Sequence, residues 1–264
     1  MDIAFQDTNL DIRELTKSFD ALQKIGYQAK TFGVIPFTDT LSIDYDLLVP
    51  TIMMGGTKMV KLWIQNKLPT NSVVFYDAEK FDQCYYSTIL GDYLLNSTAE
   101  YTTWGAIRDT QLTKPLFTKP SSDLKYFAGT VLYPEYDMTV ESLLRSQKFV
   151  DVDLLDNPDI SILINYNIFT KIVREYRIFV VNNQIIDISQ YMADGKVKWS
   201  EFSERDEIVQ FVEKIMGLYS PHDNYVVDVC LHDGQYKIVE YNCLNCSGMY
   251  EIDREKLFLE LLKL

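Results

Sequence analysis

The chain has 264 residues, 47% hydrophobic and 24% charged, the balance of a globular protein with room for a sizeable core. Its 38 acidic against 25 basic residues give a net charge of −13, which argues against nucleic acid as a partner and requires any bound phosphate to be met by a local basic pocket. No window reaches the roughly 20 apolar residues of a spanning helix, the first residues lack the pattern of a signal peptide, and four unevenly placed cysteines do not make a secreted disulfide framework. The expectation is a soluble, cytoplasmic protein with no membrane partner.

In residues 11–25, Ile12, Leu15, Phe19, Leu22 and Ile25 fall at helical spacing, and Gly26 stops the helix. Residues 27–36 and 46–50 read as short strands, 50–56 as a turn, 59–64 as a helix and 71–76 as a buried strand. That alternation predicts a small parallel α/β unit. The run Met54-Gly-Gly-Thr-Lys58 is not a P-loop, because its lysine follows the hydroxyl residue, so the glycines read as a strand-to-helix turn. Residues 81–112 read as mostly helical, with Tyr85, Tyr86, Ile89, Leu90, Tyr93 and Leu94 at core spacing and Trp104 and Arg108 unplaced. Residues 1–112 form the first expected domain.

The second domain, 113–264, is expected to have a small lobe to about residue 165 and a large lobe beyond it. Residues 116–120 form a strand ended by Pro120, Ser121-Ser122-Asp123 a polar loop, and 125–131 a second strand. Lys119, at a strand end beside a loop with free N–H groups, suits a phosphate cradle; the plainer alternative is a solvated lysine. Residues 139–148 read as a short helix capped by Thr139, 151–159 as an acidic surface loop and 160–164 as a buried strand. Residues 171–181 and 184–191 make a hairpin about Asn182-Asn183. On a regular strand Arg174 and Arg177 point to opposite faces, while Glu175 and Arg177 share one and could pair. A helix starts near Ser203, with Ile208, Phe211, Val212, Ile215 and Met216 inward, and another spans 253–264.

Residues 225–242 read as a hairpin with Asp233-Gly234 at its turn and an acid among apolar neighbours in each strand, Asp228 and Glu240. A two-residue loop would send these acids to opposite faces. A three-residue loop pairs Asp228 with Glu240 and Val226 with Asn242, leaving Val227, Val229, Leu231, Val239 and Tyr241 for the core. We favour the latter, which gathers two carboxylates and an amide oxygen, the hard ligands of Mg²⁺. The alternative is two edge acids paired to basic residues. Cys230-x-His232 and Cys243-x-x-Cys246 could together supply four zinc ligands, although a strand position for Cys230 and His232 favours free thiols.

Asp228, then Glu240-Tyr-Asn242, then Ser247-Gly-Met-Tyr250 resembles the terminal metal-binding segment of ATP-grasp enzymes, most of all the small phage-type proteins of that superfamily. Lys119-Pro120 and Glu175-Tyr-Arg177 resemble the start of its ATP-clamping lobe and its central strand. The resemblance implies an α/β fold: a pre-ATP-grasp-like domain, then a two-lobed ATP-grasp domain of α+β character. It implies ATP and Mg²⁺ as cofactors, with the metal on Asp228, Glu240 and Asn242. Lys119 would be a phosphate ligand, with Lys125 a further candidate. The adenine is expected at the hinge around Ile164 and Tyr166, with Lys171 and Glu175 as further nucleotide contacts, and Arg177 at the transferred phosphoryl group or the substrate carboxylate. The family's second ATP lysine is not identifiable, which puts the phosphate geometry in doubt. The implied activity is a carboxylate-amine ligase that works through an acyl phosphate and releases ADP and phosphate. Its carboxylate and amine substrates could be a small molecule, a peptide or a protein. The rivals are a non-catalytic ATP- or peptide-binding module, a simple kinase and a small zinc-binding domain.

Overall fold

The computed structural model describes residues 1–7, 12–35, 38, 40–43, 48–147, 149–168, 172–200 and 205–264; Asp11, Pro36, Asp46, Lys148, Lys171 and Ser203, invoked above, lie outside them. In chain order the first part holds β1 (Asp2–Gln6), α1 (Ile12–Lys24), β2 (Lys30–Val34), β3 (Leu41–Ser42), β4 (Thr51–Met54), α2 (Thr57–Ile64), β5 (Ser72–Val73) and α3 (Gln83–Leu90). Next come β6 (Glu100–Thr103), α4 (Trp104–Ile107), β7 (Leu116–Pro120), β8 (Thr130–Leu132), α5 (Val140–Gln147), α6 (Val152–Asp156) and β9 (Ser161–Asn165). The last part is β10 (Ile172–Val181), β11 (Gln184–Ala193), β12 (Lys196–Ser200), α7 (Arg205–Met216), β13 (Tyr225–His232), β14 (Gln235–Asn242) and α8 (Arg254–Leu261). Among the described residues no helix is long and apolar enough to cross a membrane.

The first sheet runs β3-β2-β1-β4-β5, with β2, β1, β4 and β5 parallel and β3 antiparallel. Its central strands β1 and β4 have helices on both faces. Ile3, Phe5, Ile52 and Met54 meet α1 and α8 through Leu22, Phe258 and Leu261, whereas Ala4 and Met53 meet α2 through Met59, Val60 and Leu62. Strands covered on both faces lose the alternation that marks a half-exposed strand. For that reason Thr51–Met54, read from sequence as a turn, is a strand with every residue buried, and residues 48–50 ahead of it are not.

The second sheet, β6-β9-β7-β8, is antiparallel and packs on α4, α5 and α6 through Trp104, Leu116, Leu132, Leu143, Leu154 and Ile162. Three expectations change here. Residues 94–103 are not helical: Leu94 bridges to Ile238 at the edge of β14, and the chain then enters this sheet as β6. The acidic stretch after residue 150 contains α6, capped by Asp151. Lys125 is in a loop with a left-handed φ of 50°, not on a strand. Lys61 of α2 reaches across to this part of the molecule, its Nζ 2.6 Å from Asp151 Oδ2 and 2.8 Å from Asp153 Oδ2.

The third sheet runs β12-β11-β10-β13-β14, antiparallel throughout. Ile208, Val212 and Ile215 of α7 cover one face, against Tyr176, Ile178, Val227 and Val229. Asp228 stands opposite Glu240 and Val226 opposite Asn242, as expected, but not through a three-residue loop. His232 pairs with Gln235, so the turn is the two residues Asp233 and Gly234, at φ 48° and 73°, the left-handed pair that matches strand twist. The extra residue is taken up by a bulge, since Val229 pairs with Ile238 and Asp228 with Glu240. Val239 falls between them. Ile238 therefore takes the core position expected of Val239, fully buried, and Val239 turns to the opposite side.

Candidate active site

Three elements bring charged groups together between the second and third sheets. Lys119, near the end of β7, places Nζ 2.5 Å from Glu240 Oε2 on β14. Arg177 on β10 pairs in register with Asp228 on β13 and donates to both its oxygens, Nε to Oδ1 at 2.9 Å and Nη2 to Oδ2 at 2.7 Å. Its Nη1 also donates to the Gly248 carbonyl at 3.2 Å. Asn242 joins the two halves, donating from Nδ2 to Asp228 Oδ2 at 3.1 Å and accepting at Oδ1 from Lys125 Nζ at 2.9 Å. Behind Lys125 is the buried Asp123, whose Oδ2 accepts the Cys243 N–H at 2.6 Å.

The charges set one another. Burial alone would raise the Glu240 carboxyl, yet Lys119 and Lys125 outweigh it and bring it down to about 2, so the group is ionised. Burial pushes Asp123 up to about 6 even though the Lys125 ammonium opposes it. Glu175 is raised by burial against the hydrogen bond it accepts from Tyr191 Oη at 2.6 Å. Burial works against the positive charge on Arg177, but the adjacent Asp228 carboxylate raises its pKa and keeps it.

A cavity of about 460 Å³ lies between the sheets. Its polar lining is Lys119, Glu175, Tyr191, Arg177, Asp228 and Glu240, with Asn96; its apolar lining includes Leu95, Phe117, Val131, Ile168, Ile172 and Val239. A smaller cavity of about 180 Å³ adjoins it through Lys119, Gly129 and Glu240 and is walled by Ser121, Ser122, Asp123 and Lys125. Most of the residues singled out from sequence thus meet in one place, with Asn242 buried just behind them. Glu175 bonds Tyr191 and not Arg177. Ile164 and Tyr166 line neither cavity: Ile164 packs on the core of the second sheet, and the Tyr166 ring is 40% exposed beneath Lys114 Nζ at 4.1 Å. Lys171 is outside the described residues.

The zinc arrangement is not formed. Cys230 pairs with Lys237, four positions along β13 from Val226, the partner of Asn242, so about 13 Å of strand separates it from the Cys243 end. All four cysteines are free thiols.

Two contributors carried little signal in the sequence. Tyr191 comes from the far strand of a hairpin and reaches the site through its hydroxyl. Asn245 is 1% exposed and acts as a missing piece of backbone. Its Oδ1 accepts the Phe75 N–H at 2.7 Å, and its Nδ2 donates to the carbonyls of Met53 at 2.8 Å and Val73 at 3.1 Å. That fixes the turn leading to Gly248 against the first sheet.

A lysine clamped from one sheet onto an acidic hairpin of another, around a cleft, is the arrangement of an ATP-grasp protein, and the chain belongs to that family. Residues 96–259 match the model of an ATP-grasp domain, the second family of its clade, a span that takes in β6 and α4. Solved structures share the fold over nearly the whole chain. D-cycloserine synthetase DcsG is 13% identical, with 99% of each chain covered and a TM-score of 0.58. D-alanine-D-alanine ligase from Helicobacter pylori is 11% identical, covering 100% of this chain and 98% of that one, with a TM-score of 0.58. Macrocyclase MdnC from Microcystis aeruginosa, solved with its precursor peptide MdnA, is 14% identical with 100% of both chains covered and a TM-score of 0.51. Among curated proteins none matches in sequence.

Proposed function

We propose that the protein is an ATP- and Mg²⁺-dependent carboxylate-amine ligase. The observation that carries this is the meeting of Lys119, Arg177, Asp228 and Glu240 around one cavity between two sheets. Phosphoryl transfer asks mainly for positioning and charge neutralisation, which this set of groups supplies without a nucleophilic side chain. In this reading residues 1–112 are a pre-ATP-grasp-like unit that lends β6 and α4 to the small lobe, and residues 113–264 are the ATP-grasp domain.

The carboxylate substrate attacks the γ-phosphorus, the bond to ADP breaks, and an acyl phosphate forms. The amine then attacks the acyl carbon and loses a proton as phosphate leaves. Lys119 exchanges Glu240 for phosphate oxygens, and Lys125 stands beside it. Arg177 faces the transferred group or the substrate carboxylate with the planar fork that suits either. The donor set fits a hard divalent cation, because Glu240 is ionised and Asn242 offers a carbonyl oxygen on the face shared with Asp228. When bound, Mg²⁺ would neutralise triphosphate charge. Glu240→Gln should abolish carboxylate-dependent ADP release while leaving the circular dichroism spectrum unchanged; unaltered turnover would remove Glu240 from the site.

One observation favours a second reading, a binding module without turnover. Both oxygens of Asp228 are engaged by Arg177, and the side chain is 2% exposed, so this acid is the least available of the three. ATP binding without ADP release, across a panel of acids and amines, would support that reading instead.

A further inference from the structure

Asn96 lies where the chain leaves the edge of β14, just after the Leu95 N–H bonds the Ile238 carbonyl at 2.9 Å, and before it enters β6. It is 6% exposed and lines the 460 Å³ cavity. The direction of its amide follows from a chain of hydrogen bonds anchored on backbone. The Asn167 N–H can only donate, and it donates to Asn165 Oδ1 at 2.8 Å. The Asn165 amide nitrogen is thereby fixed as a donor, and it donates to Asn96 Oδ1 at 3.2 Å. The nitrogen of Asn96 is what remains. It has no acceptor among the described residues, although a buried amide donor normally has one.

The place of this donor in the cavity is also defined. Asn165 pairs with Phe117, while Lys119 pairs with Leu163, two strand positions on, which is about 7 Å. With phosphates at Lys119, the Asn96 end is left for the nucleoside half of the ligand.

We infer that Asn96 is a nucleotide-contacting specificity residue, its Nδ2–H donating to a nucleoside acceptor of ATP, either a ring nitrogen of adenine or a ribose oxygen. The inference rests on the ATP-binding reading above. It also supplies a polar anchor that neither Ile164 nor Tyr166 provides.

The test is calorimetric binding of ATP and of its 1-deaza, 3-deaza, 7-deaza, 2′-deoxy and 3′-deoxy analogues to the wild type, Asn96→Ala and Asn96→Asp. Asn96→Asp keeps an oxygen for Asn165 and loses the donor, and comparing analogue with ATP inside one variant cancels the effect of its added charge. One analogue should bind the wild type about fivefold to tenfold more weakly than ATP, the worth of one hydrogen bond, and its identity names the acceptor. In both variants that ratio should fall to near one. If no analogue is discriminated, or the same ratio persists in both variants, the inference is overturned while ATP binding stands. No ATP binding by the wild type would overturn the underlying reading and this inference with it.

Discussion

Arg177 and Asp228, opposite each other on β10 and β13, form a two-pronged ion pair whose side chains are 8% and 2% exposed. Removing either partner leaves a charge in a place that water hardly reaches. Arg177→Ala and Asp228→Asn should each lower unfolding free energy by about 3 kcal/mol. The double variant should lose less than the sum, with a coupling of about 1–3 kcal/mol by urea denaturation. Additive losses would show that the two groups do not depend on each other.

Asp123 gives a pH dependence of definite sign. Its carboxyl is raised to about 6 in the folded protein, against about 3.9 for a free aspartate. Between those values the folded state keeps a proton that the unfolded state has released. Its contribution is therefore fully present below about 4 and is lost as pH rises through about 6. Asp123→Asn keeps an acceptor for the Cys243 N–H and should flatten this part of the stability profile, by on the order of 2 kcal/mol. Urea unfolding from pH 4 to 7 reads the difference; identical slopes would place the titration elsewhere.

The junction made by Lys61 has the opposite sign. Burial would raise the Asp151 carboxyl, but the Lys61 ammonium outweighs it and holds it below the usual range. A depressed acid stabilises above its unfolded pKa, and that stabilisation is lost as pH falls through the folded value. Lys61→Met should cost about 1–2 kcal/mol at pH 7, moderated because Asp151 and Asp153 are 29% and 55% exposed, and clearly less at pH 3. Equal losses at both pH values would mean that the lysine acts through its stem, packed on Tyr126 with Nζ 4.5 Å from the ring centroid.

How much of this could be read from the chain depends on whether the signal is local. The β10–β11 hairpin about Asn182-Asn183, the α7 face and the charged residues of the site are written in short-range patterns, and the structure has them. The facing of Asp228 and Glu240 was legible while its cause was not. Turn chemistry marks Asp233-Gly234, but nothing in Val239 announces a bulge, because the cavity that receives its side chain is made by other segments. The first sheet was read least well. Its central strands are buried on both faces and owe their burial to α8, some two hundred residues away. Asn96 and Asn245 look like ordinary loop residues until the partners they meet are known.

Asn245 ties this family's signature segment to a sheet that lies outside it. Because its amide completes the bonding between β4 and the stretch after β5, and because Phe5, Ile52 and Met54 share an apolar cluster with Phe179, Val226 and Phe258, the boundary at residue 96 is not a seam. A fragment cut there would bare a greasy flank and orphan a carboxamide that needs three main-chain partners. The recognisable module is thus half of a single folding unit, and its cleft is only as rigid as the sheet that precedes it.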